Sequence, residues 1–196
     1  MQLEIPPGEF DGYIFDCDGT LADTMPAHYV AWQQALRESG APFEFTEDLF
    51  YSLGGVPTPR IVTLLNDKYK TNLNPETVSR HKEELFMQNL HQVTPIEPVV
   101  CFARTISQTH PVAVASGGFK RVVNRTLELV GLGGVFPIIV AAEDVEHGKP
   151  APDLFLLAAR LMRVAPEKCL VFEDGEAGLQ AAAKAGMQTV FISSRR

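Results

Sequence analysis

Cysteine is scarce in this sequence of 196 residues, which contains only Cys17, Cys101 and Cys169. Three cysteines without paired spacing imply neither a disulfide framework nor a zinc site. Long hydrophobic runs are also lacking, and none approaches the roughly 20 residues of a membrane-spanning helix. The first ten residues contain neither the basic segment nor the apolar run of a secretion signal. We therefore expect a reduced, cytoplasmic protein without membrane contact, in which Cys17 and Cys169 are small buried hydrophobic residues.

Positive charge is also in short supply. The chain has 17 Lys and Arg against 24 Asp and Glu, for a net charge of -7. A surface of this sign repels nucleic acid, so we expect no nucleic-acid partner. A small anionic substrate remains compatible with the composition, because a local group of lysine and metal can outweigh the global charge.

Short apolar runs alternate with helical patterns over much of the chain. Buried parallel strands are predicted at Gly12–Asp16, Val112–Ser116, Ile138–Ala141, Leu170–Glu173 and Thr189–Ile192. Helices are predicted between the later strands, at Phe119–Val130, Pro152–Met162 and Gly175–Ala185. This alternation predicts an α/β fold with a Rossmann-like parallel sheet.

One segment interrupts the alternation directly after the first strand. It contains three helical patterns and no strand-like run, with helices predicted at Pro26–Ser39, Pro59–Tyr69 and Pro75–Leu90. We interpret residues 24–92 as an inserted helical domain, and residues 1–23 and 93–196 as the α/β core. Pro95 and Pro98 are interpreted as a linker that returns the chain to the sheet.

Acidic residues follow two of the predicted strands. Asp16 and Asp18 end the first strand, and Glu173 and Asp174 end the fourth. The carboxyl ends of parallel strands meet at one edge of a sheet, and oxygen ligands from two strands suit Mg²⁺. The alternatives are that Asp16 and Asp18 only form a turn and that Asp174 caps the next helix.

Phosphate-binding groups follow at the same edge. Ser116, Gly117 and Gly118 end the second strand and offer a hydroxyl and backbone N–H groups to an anion. Lys149 lies between a glycine and a proline and offers a positive charge. The alternative interpretations are an ordinary loop for the Ser-Gly-Gly segment and a solvated surface position for Lys149.

The four motifs in this order resemble the haloacid dehalogenase superfamily. The segments Gly148–Ala159 and Phe172–Met187 resemble its β-phosphoglucomutase-like branch, and within it the bacterial fructose-1-phosphate and 6-phosphogluconate phosphatases. The resemblance implies Asp16 as nucleophile and Asp18 as general acid and base, with Lys149 and Ser116 assisting. It also implies that Mg²⁺ is held by Asp16, Asp18, Glu173 and Asp174, with Asp18 binding through its backbone carbonyl. The inserted segment is expected to form a small helical cap.

The resemblance further implies a monomer that binds a small phosphorylated sugar. The residues it assigns to substrate binding are Thr20, His28, Gly55, Lys82, Gly117 and Gly118. For Lys82 the alternative is a surface lysine paired with a glutamate on its own helix, and for His28 a packing histidine. The chain lacks the lysine that mutases of this branch carry before the glycine at position 55, which favours hydrolysis. A phosphosugar mutase and a non-catalytic sugar-phosphate sensor are the alternative functions.

Overall fold

The computed structural model describes residues 3–53 and 56–193. The chain divides into two compact units. The sheet unit contains the residues up to Asp23 and from Val93 onward, and the helical unit contains Thr24–Gln92. Among the described residues, no helix combines the length and the apolar composition needed to cross a membrane.

The described part of the sheet unit contains all the strands. They are β1 (Gly12–Phe15), β2 (Ala22–Asp23), β3 (Thr94–Pro95), β4 (Val112–Ala115), β5 (Ile138–Val140), β6 (Cys169–Glu173) and β7 (Gln188–Phe191). Five of them form a parallel sheet in the order β5-β4-β1-β6-β7. The predicted α/β class and its parallel sheet are confirmed, and each predicted strand begins and ends within one residue of its observed bounds.

The helices of the two units follow in chain order. The helical unit contains α1 (Met25–Glu38), α2 (Glu47–Ser52), α3 (Thr58–Tyr69) and α4 (Pro75–Asn89). The sheet unit contains α5 (Glu97–Ile106), α6 (Lys120–Leu129), α7 (Asp153–Met162) and α8 (Glu176–Lys184). A short 3₁₀ turn, Ala142–Asp144, follows β5.

Both faces of the central strands are covered, which explains their continuous apolar sequences. On one face, Ile14 belongs to a buried cluster with residues of α7 and α8, including Phe155 and Ala181. On the other face, the rings of Phe15 and Phe172 stack with centroids 4.6 Å apart. Truncating such a buried phenylalanine to alanine costs about 3–5 kcal/mol. Cys17 and Cys169 are fully buried, as predicted.

The interpretation of Pro95 and Pro98 as a linker is wrong. Pro95 pairs with Ala22 in the two-stranded antiparallel ladder of β2 and β3. Pro98 lies in the first turn of α5, where a missing backbone N–H costs no helical hydrogen bond. Helix α5 places Phe102 against Phe172, with ring centroids 5.0 Å apart, and so covers the second face of the sheet.

Candidate active site

The central position of β1 brings the first predicted acid between groups from two neighbouring strands. Phe15 pairs with Val114 of β4 on one side and with Phe172 of β6 on the other. Asp16 is the next residue, and its backbone N–H donates to the Phe172 carbonyl at 3.0 Å. Asp16 therefore emerges at the carboxyl edge of the sheet, beside Glu173.

Lys149 joins the acids of the two strands. Its Nζ lies 2.6 Å from Asp16 Oδ1 and 2.6 Å from Glu173 Oε2. The Lys149 side chain is only 10% exposed, so the surface-lysine interpretation is wrong. The two carboxylates raise the pKa of Lys149 despite its burial, and the ammonium stays charged. The backbone beside it is held by Lys184 of α8, whose Nζ donates to the Pro150 carbonyl at 2.8 Å.

Negative charge at this edge exceeds what Lys149 neutralises. Burial raises the pKa of Asp16 well above its usual value, and repulsion by Glu173 adds to the rise. Burial also raises the pKa of Asp174 to about 7, again with a contribution from Glu173. Ligand oxygens of Asp16, Glu173 and Asp174 all lie within 4.8 Å of one another. Three close carboxylates and one ammonium leave an excess of negative charge, which a divalent ion would neutralise. Carboxylate oxygens are also the hard ligands that Mg²⁺ prefers, so the residues fit that metal.

The turn after Asp18 is built around a close approach to Asp174. Gly19 has a φ of +82°, and a Cβ at this position would collide with the Asp174 carboxylate. The buried Thr20 hydroxyl donates to Asp174 Oδ1 at 3.3 Å. The structure therefore places Thr20 on a metal-ligand candidate, whereas the sequence assigned it to substrate binding. Helix α8 begins with Gly175 at its N-cap and without a side-chain cap, so the helix-cap interpretation of Asp174 is wrong.

Glu173 depends on a second glycine that the sequence interpretation missed. Gly178 is buried in the first turns of α8, and a Cβ there would overlap the Glu173 carboxylate. Glu173 Oε1 also accepts from the Gly175 N–H at 3.1 Å. An isolated glycine inside an alanine-rich helical pattern is the sequence signal that could have revealed this close packing.

The predicted phosphate-binding loop lies next to Asp18. Ser116 is 1% exposed, and its Oγ accepts from the Gly118 N–H at 3.0 Å. A Cβ on Gly118 would lie 3.7 Å from Asp18 Oδ2, whereas one on Gly117 would meet no atom within 4 Å. The half-buried Asp18 carboxylate therefore lies close to Gly118, and the space beside Gly117 is open.

Two of the substrate-binding candidates meet inside the helical unit. Lys82 Nζ lies 2.8 Å from His28 Nδ1 and 3.0 Å from Glu83 Oε1. The Lys82 side chain is 4% exposed, so the surface-lysine interpretation is wrong, although a glutamate pair is present. The His28 ring stacks on Phe86 with centroids 3.7 Å apart. Gly55, the third candidate of this unit, lies outside the described residues.

Comparison with known proteins gives consistent similarities over nearly the whole chain. The model of the haloacid dehalogenase-like hydrolase family matches residues 13–192. The fructose-1-phosphate phosphatase YqaB of Escherichia coli is 37% identical over 93% of this chain and 96% of its own. A phosphorylated carbohydrates phosphatase of Thermotoga maritima is 30% identical over 92% of this chain and 84% of its own. Among solved structures, a CbbY variant from Rhodobacter sphaeroides in complex with xylulose-(1,5)bisphosphate has 23% sequence identity to this chain and a TM-score of 0.83. The alignment covers 92% of this chain and 84% of the CbbY chain.

Proposed function

The chain belongs to the haloacid dehalogenase-like hydrolases, and we propose that it hydrolyses a small sugar phosphate such as fructose 1-phosphate through a phosphorylated Asp16. As a member of this family it is a phosphoric monoester hydrolase. The observation that carries the proposal is the contact of one buried lysine with two acids, since Lys149 bridges Asp16 and Glu173 at 2.6 Å each.

Asp16 is the proposed nucleophile. One of its carboxylate oxygens bonds to phosphorus while the bond from phosphorus to the sugar oxygen breaks. A buried carboxylate with a raised pKa needs positive charge beside it to react as an anion, and Lys149 supplies such a charge in direct contact. The same contact restricts rotation of the Asp16 side chain, which favours a productive orientation.

Asp18 is the proposed acid and base. It gives a proton to the departing sugar oxygen and then takes one from the water that hydrolyses the phosphorylated Asp16. Its position supports this role, because the Gly118 backbone approaches Asp18 Oδ2. The Ser116 hydroxyl and the Gly117 N–H are proposed to bind the phosphate oxygens, where their dipoles stabilise developing charge, and the Gly118 N–H orients that hydroxyl by donating to its oxygen.

Mg²⁺ is the proposed cofactor. The side chains of Asp16, Glu173 and Asp174, with the backbone carbonyl of Asp18, would hold it. When bound, the ion offsets the repulsion between a carboxylate and a phosphate dianion. Thr20 assists by orienting the Asp174 carboxylate.

Selection of the sugar is assigned to the helical unit, with Gly55, His28 and Lys82 as its candidate residues. The groups gathered at the carboxyl edge of the sheet suit phosphate and metal, and none of them distinguishes one sugar from another. Binding energy from the sugar therefore has to come from other side chains. We also propose that the protein acts as a monomer in the cytoplasm.

A phosphate-release assay over a panel of phosphomonoesters tests the proposed function. The panel contains fructose 1-phosphate, 6-phosphogluconate, β-glucose 1-phosphate and para-nitrophenyl phosphate, with the Asp16→Asn variant as the blank. We expect Mg²⁺-dependent release with a higher kcat/KM for a sugar phosphate than for the nitrophenyl ester. Conversion of β-glucose 1-phosphate into its 6-phosphate only with a bisphosphate activator would instead identify a mutase. Binding without turnover would identify a sensor, and either result would overturn the proposal.

A further inference from the structure

Helix α6, which follows the Ser116–Gly118 loop, begins without a cap of its own. Phe119 occupies its N-cap position and makes no side-chain cap bond, and its first turn has no acidic residue. The cap comes instead from the turn after β5, because Glu143 Oε1 accepts from the Lys120 N–H at 2.9 Å. A carboxylate at this end of a helix also interacts favourably with the helix dipole.

The side chain of Lys120 makes a second connection to the same turn. Its Nζ lies 2.9 Å from Asp144 Oδ1 and 2.7 Å from Asp144 Oδ2. Asp144 Oδ2 also accepts from the Ala141 N–H at 2.9 Å, so the carboxylate closes its own turn while it holds the lysine. These hydrogen bonds lower the pKa of Asp144, first through Lys120 and then through Ala141, and keep it ionised near neutral pH.

The backbone joins the loop to the turn at one further point and to the end of β5 at another. The Ala142 N–H donates to the Gly118 carbonyl at 3.0 Å, and the Ser116 N–H donates to the Val140 carbonyl at 3.0 Å. The chain then runs from Asp144 to Lys149 without another helix or strand. One short turn is thus connected both to the loop that ends in Gly118 and to the segment that carries Lys149.

We propose that Lys120, Glu143 and Asp144 form a clamp that holds the Ser116–Gly118 loop in register with the segment carrying Lys149. The inference rests on the proposed function, in which Ser116 and Lys149 serve the same phosphate. The three clamp residues are positioning residues, since their hydrogen bonds and ion pair join them to one another and to the Ala141 N–H rather than to Asp16, Glu173 or Lys149.

A clamp is needed here because of the composition of the loop. Two consecutive glycines give it many accessible backbone conformations, and ordering them costs conformational entropy. A displacement of about 1 Å in a group that positions substrate can cost about 100-fold in rate. Contacts that restrict the loop before phosphate arrives therefore raise affinity for phosphate without touching it.

The test compares Lys120→Met with Lys120→Arg and with a matched control on the same helix. Met keeps the length of the side chain and removes its charge, whereas Arg keeps the charge. The control is Arg125→Met, which removes an exposed ion pair to Glu128 within α6 and leaves the clamp intact. Binding of inorganic phosphate is measured by calorimetry at saturating Mg²⁺, together with KM and kcat for the best sugar phosphate and the Mg²⁺ concentration for half-maximal activity.

We expect Lys120→Met to weaken phosphate binding and raise KM by about tenfold, as a partial loss of positioning implies. The Mg²⁺ dependence of Lys120→Met is expected to match that of the wild type. Lys120→Arg is expected to restore most of the phosphate affinity. Arg125→Met is expected to leave phosphate affinity, KM and Mg²⁺ dependence unchanged. Asp144→Asn, which keeps the shape of the carboxylate, is expected to reproduce Lys120→Met and serves in its place if that variant does not fold.

Wild-type phosphate affinity in both Lys120→Met and Asp144→Asn would overturn the clamp while leaving the proposed function intact. The clamp would also be overturned if phosphate affinity and thermal stability fell together and the Mg²⁺ concentration for half-maximal activity rose with them, because that pattern indicates a general fold defect. A wild-type protein that neither binds phosphate nor releases it from the panel would overturn the proposed function itself.

Discussion

The Lys82 ammonium of helix α4 donates a hydrogen bond to Nδ1 of His28 on helix α1, at 2.8 Å. A lysine ammonium has no lone pair, so it donates in this contact and Nδ1 accepts. The lysine also lies 5.3 Å from the centroid of the Phe86 ring, on which the histidine stacks. A cation buried this fully, with partners on two helices, is positioned more rigidly than a surface lysine.

Replacing Lys82 tests whether this rigid cation serves substrate recognition. We expect Lys82→Ala to reduce kcat/KM for the best sugar phosphate by about tenfold or more, because a contact made in the transition state is lost. The loss is expected to be far smaller for para-nitrophenyl phosphate, which has no sugar. Steady-state kinetics on both substrates measure the difference, and Lys68→Ala, at an exposed position on α3, is the control. An equal loss on both substrates would indicate a fold defect, and no loss on either would make Lys82 a purely structural residue.

Asp16→Asn is expected to remove nearly all turnover and to leave the fold intact. The substitution keeps the shape of the side chain but deletes the nucleophilic charge. It also removes the repulsion between Asp16 and Glu173, so the metal-free variant is expected to melt no lower than the wild type. Phosphate release and thermal melting measure the two effects. Beryllium fluoride, which mimics a phosphoryl group, is expected to inhibit the wild type.

Asp11→Asn is the matched control for the nucleophile. Asp11 is exposed and precedes β1, at the opposite end of the strand from Asp16. We expect this variant to retain wild-type turnover. Wild-type turnover in Asp16→Asn itself would rule out the covalent mechanism, and insensitivity to beryllium fluoride would argue strongly against the assigned site.

The two acids at the end of β6 are expected to respond differently to added metal. Asp174→Ala removes a candidate ligand but keeps the hydrogen bonds of Lys149 to Asp16 and Glu173, so a higher Mg²⁺ concentration is expected to recover much of its activity. Glu173→Ala also weakens metal binding and in addition removes one of the two carboxylates that lie 2.6 Å from Lys149 Nζ, so recovery is expected to be poorer. Magnesium titrations of both variants measure this, with Glu176→Ala as an exposed control on α8. Unchanged metal dependence in both acid variants would contradict a metal role for the pair.

The stability of the metal-free protein is expected to fall as the pH rises. Folding raises the pKa of Asp174 from 3.8 to about 7, so the folded state holds a proton that the unfolded chain releases. The free energy of unfolding therefore decreases from about pH 4 to about pH 7 on account of this group and does not change above that range. The buried Asp16, whose pKa is also raised, acts in the same direction. A loss of about 1 kcal/mol lowers Tm by about 2–4 °C in a chain of this size.

Melting curves between pH 5 and pH 8, with and without Mg²⁺, measure this dependence. Because the metal binds the ionised carboxylates, the increase in Tm caused by Mg²⁺ is expected to be larger at pH 8 than at pH 5. Asp174→Asn cannot titrate, so its metal-free Tm is expected to vary less across this range. A Tm that rises with pH in the metal-free wild type, or the same slope in Asp174→Asn, would contradict the prediction.

The sequence alone was sufficient to predict the α/β class and to place the chemical motifs at strand ends. Strands covered on both faces have continuous apolar sequences such as those of β4 and β6, and such runs are readable without coordinates. Parallel strands present their carboxyl ends at one edge, so Asp16, Ser116 and Glu173 were expected to meet there. Helix α5 was missed because Pro98 signals a break in a sequence, whereas the first turn of a helix accepts it.

Pairings between distant residues were decided only by the tertiary structure. Lys149 and Lys82 each had a plausible surface interpretation and Thr20 was assigned to substrate binding, because nothing local separates a buried lysine from a solvated one or shows which carboxylate a hydroxyl meets. Their burial and partners depend on which helices and strands pack around them, as with Lys149 between β1 and β6 or Lys82 beside α1. The clamp of Lys120 and Asp144 joins residues 24 positions apart. Local sequence determines strands, helices and turns through short-range sterics, whereas charge pairing across the fold depends on three-dimensional proximity, which no local pattern encodes.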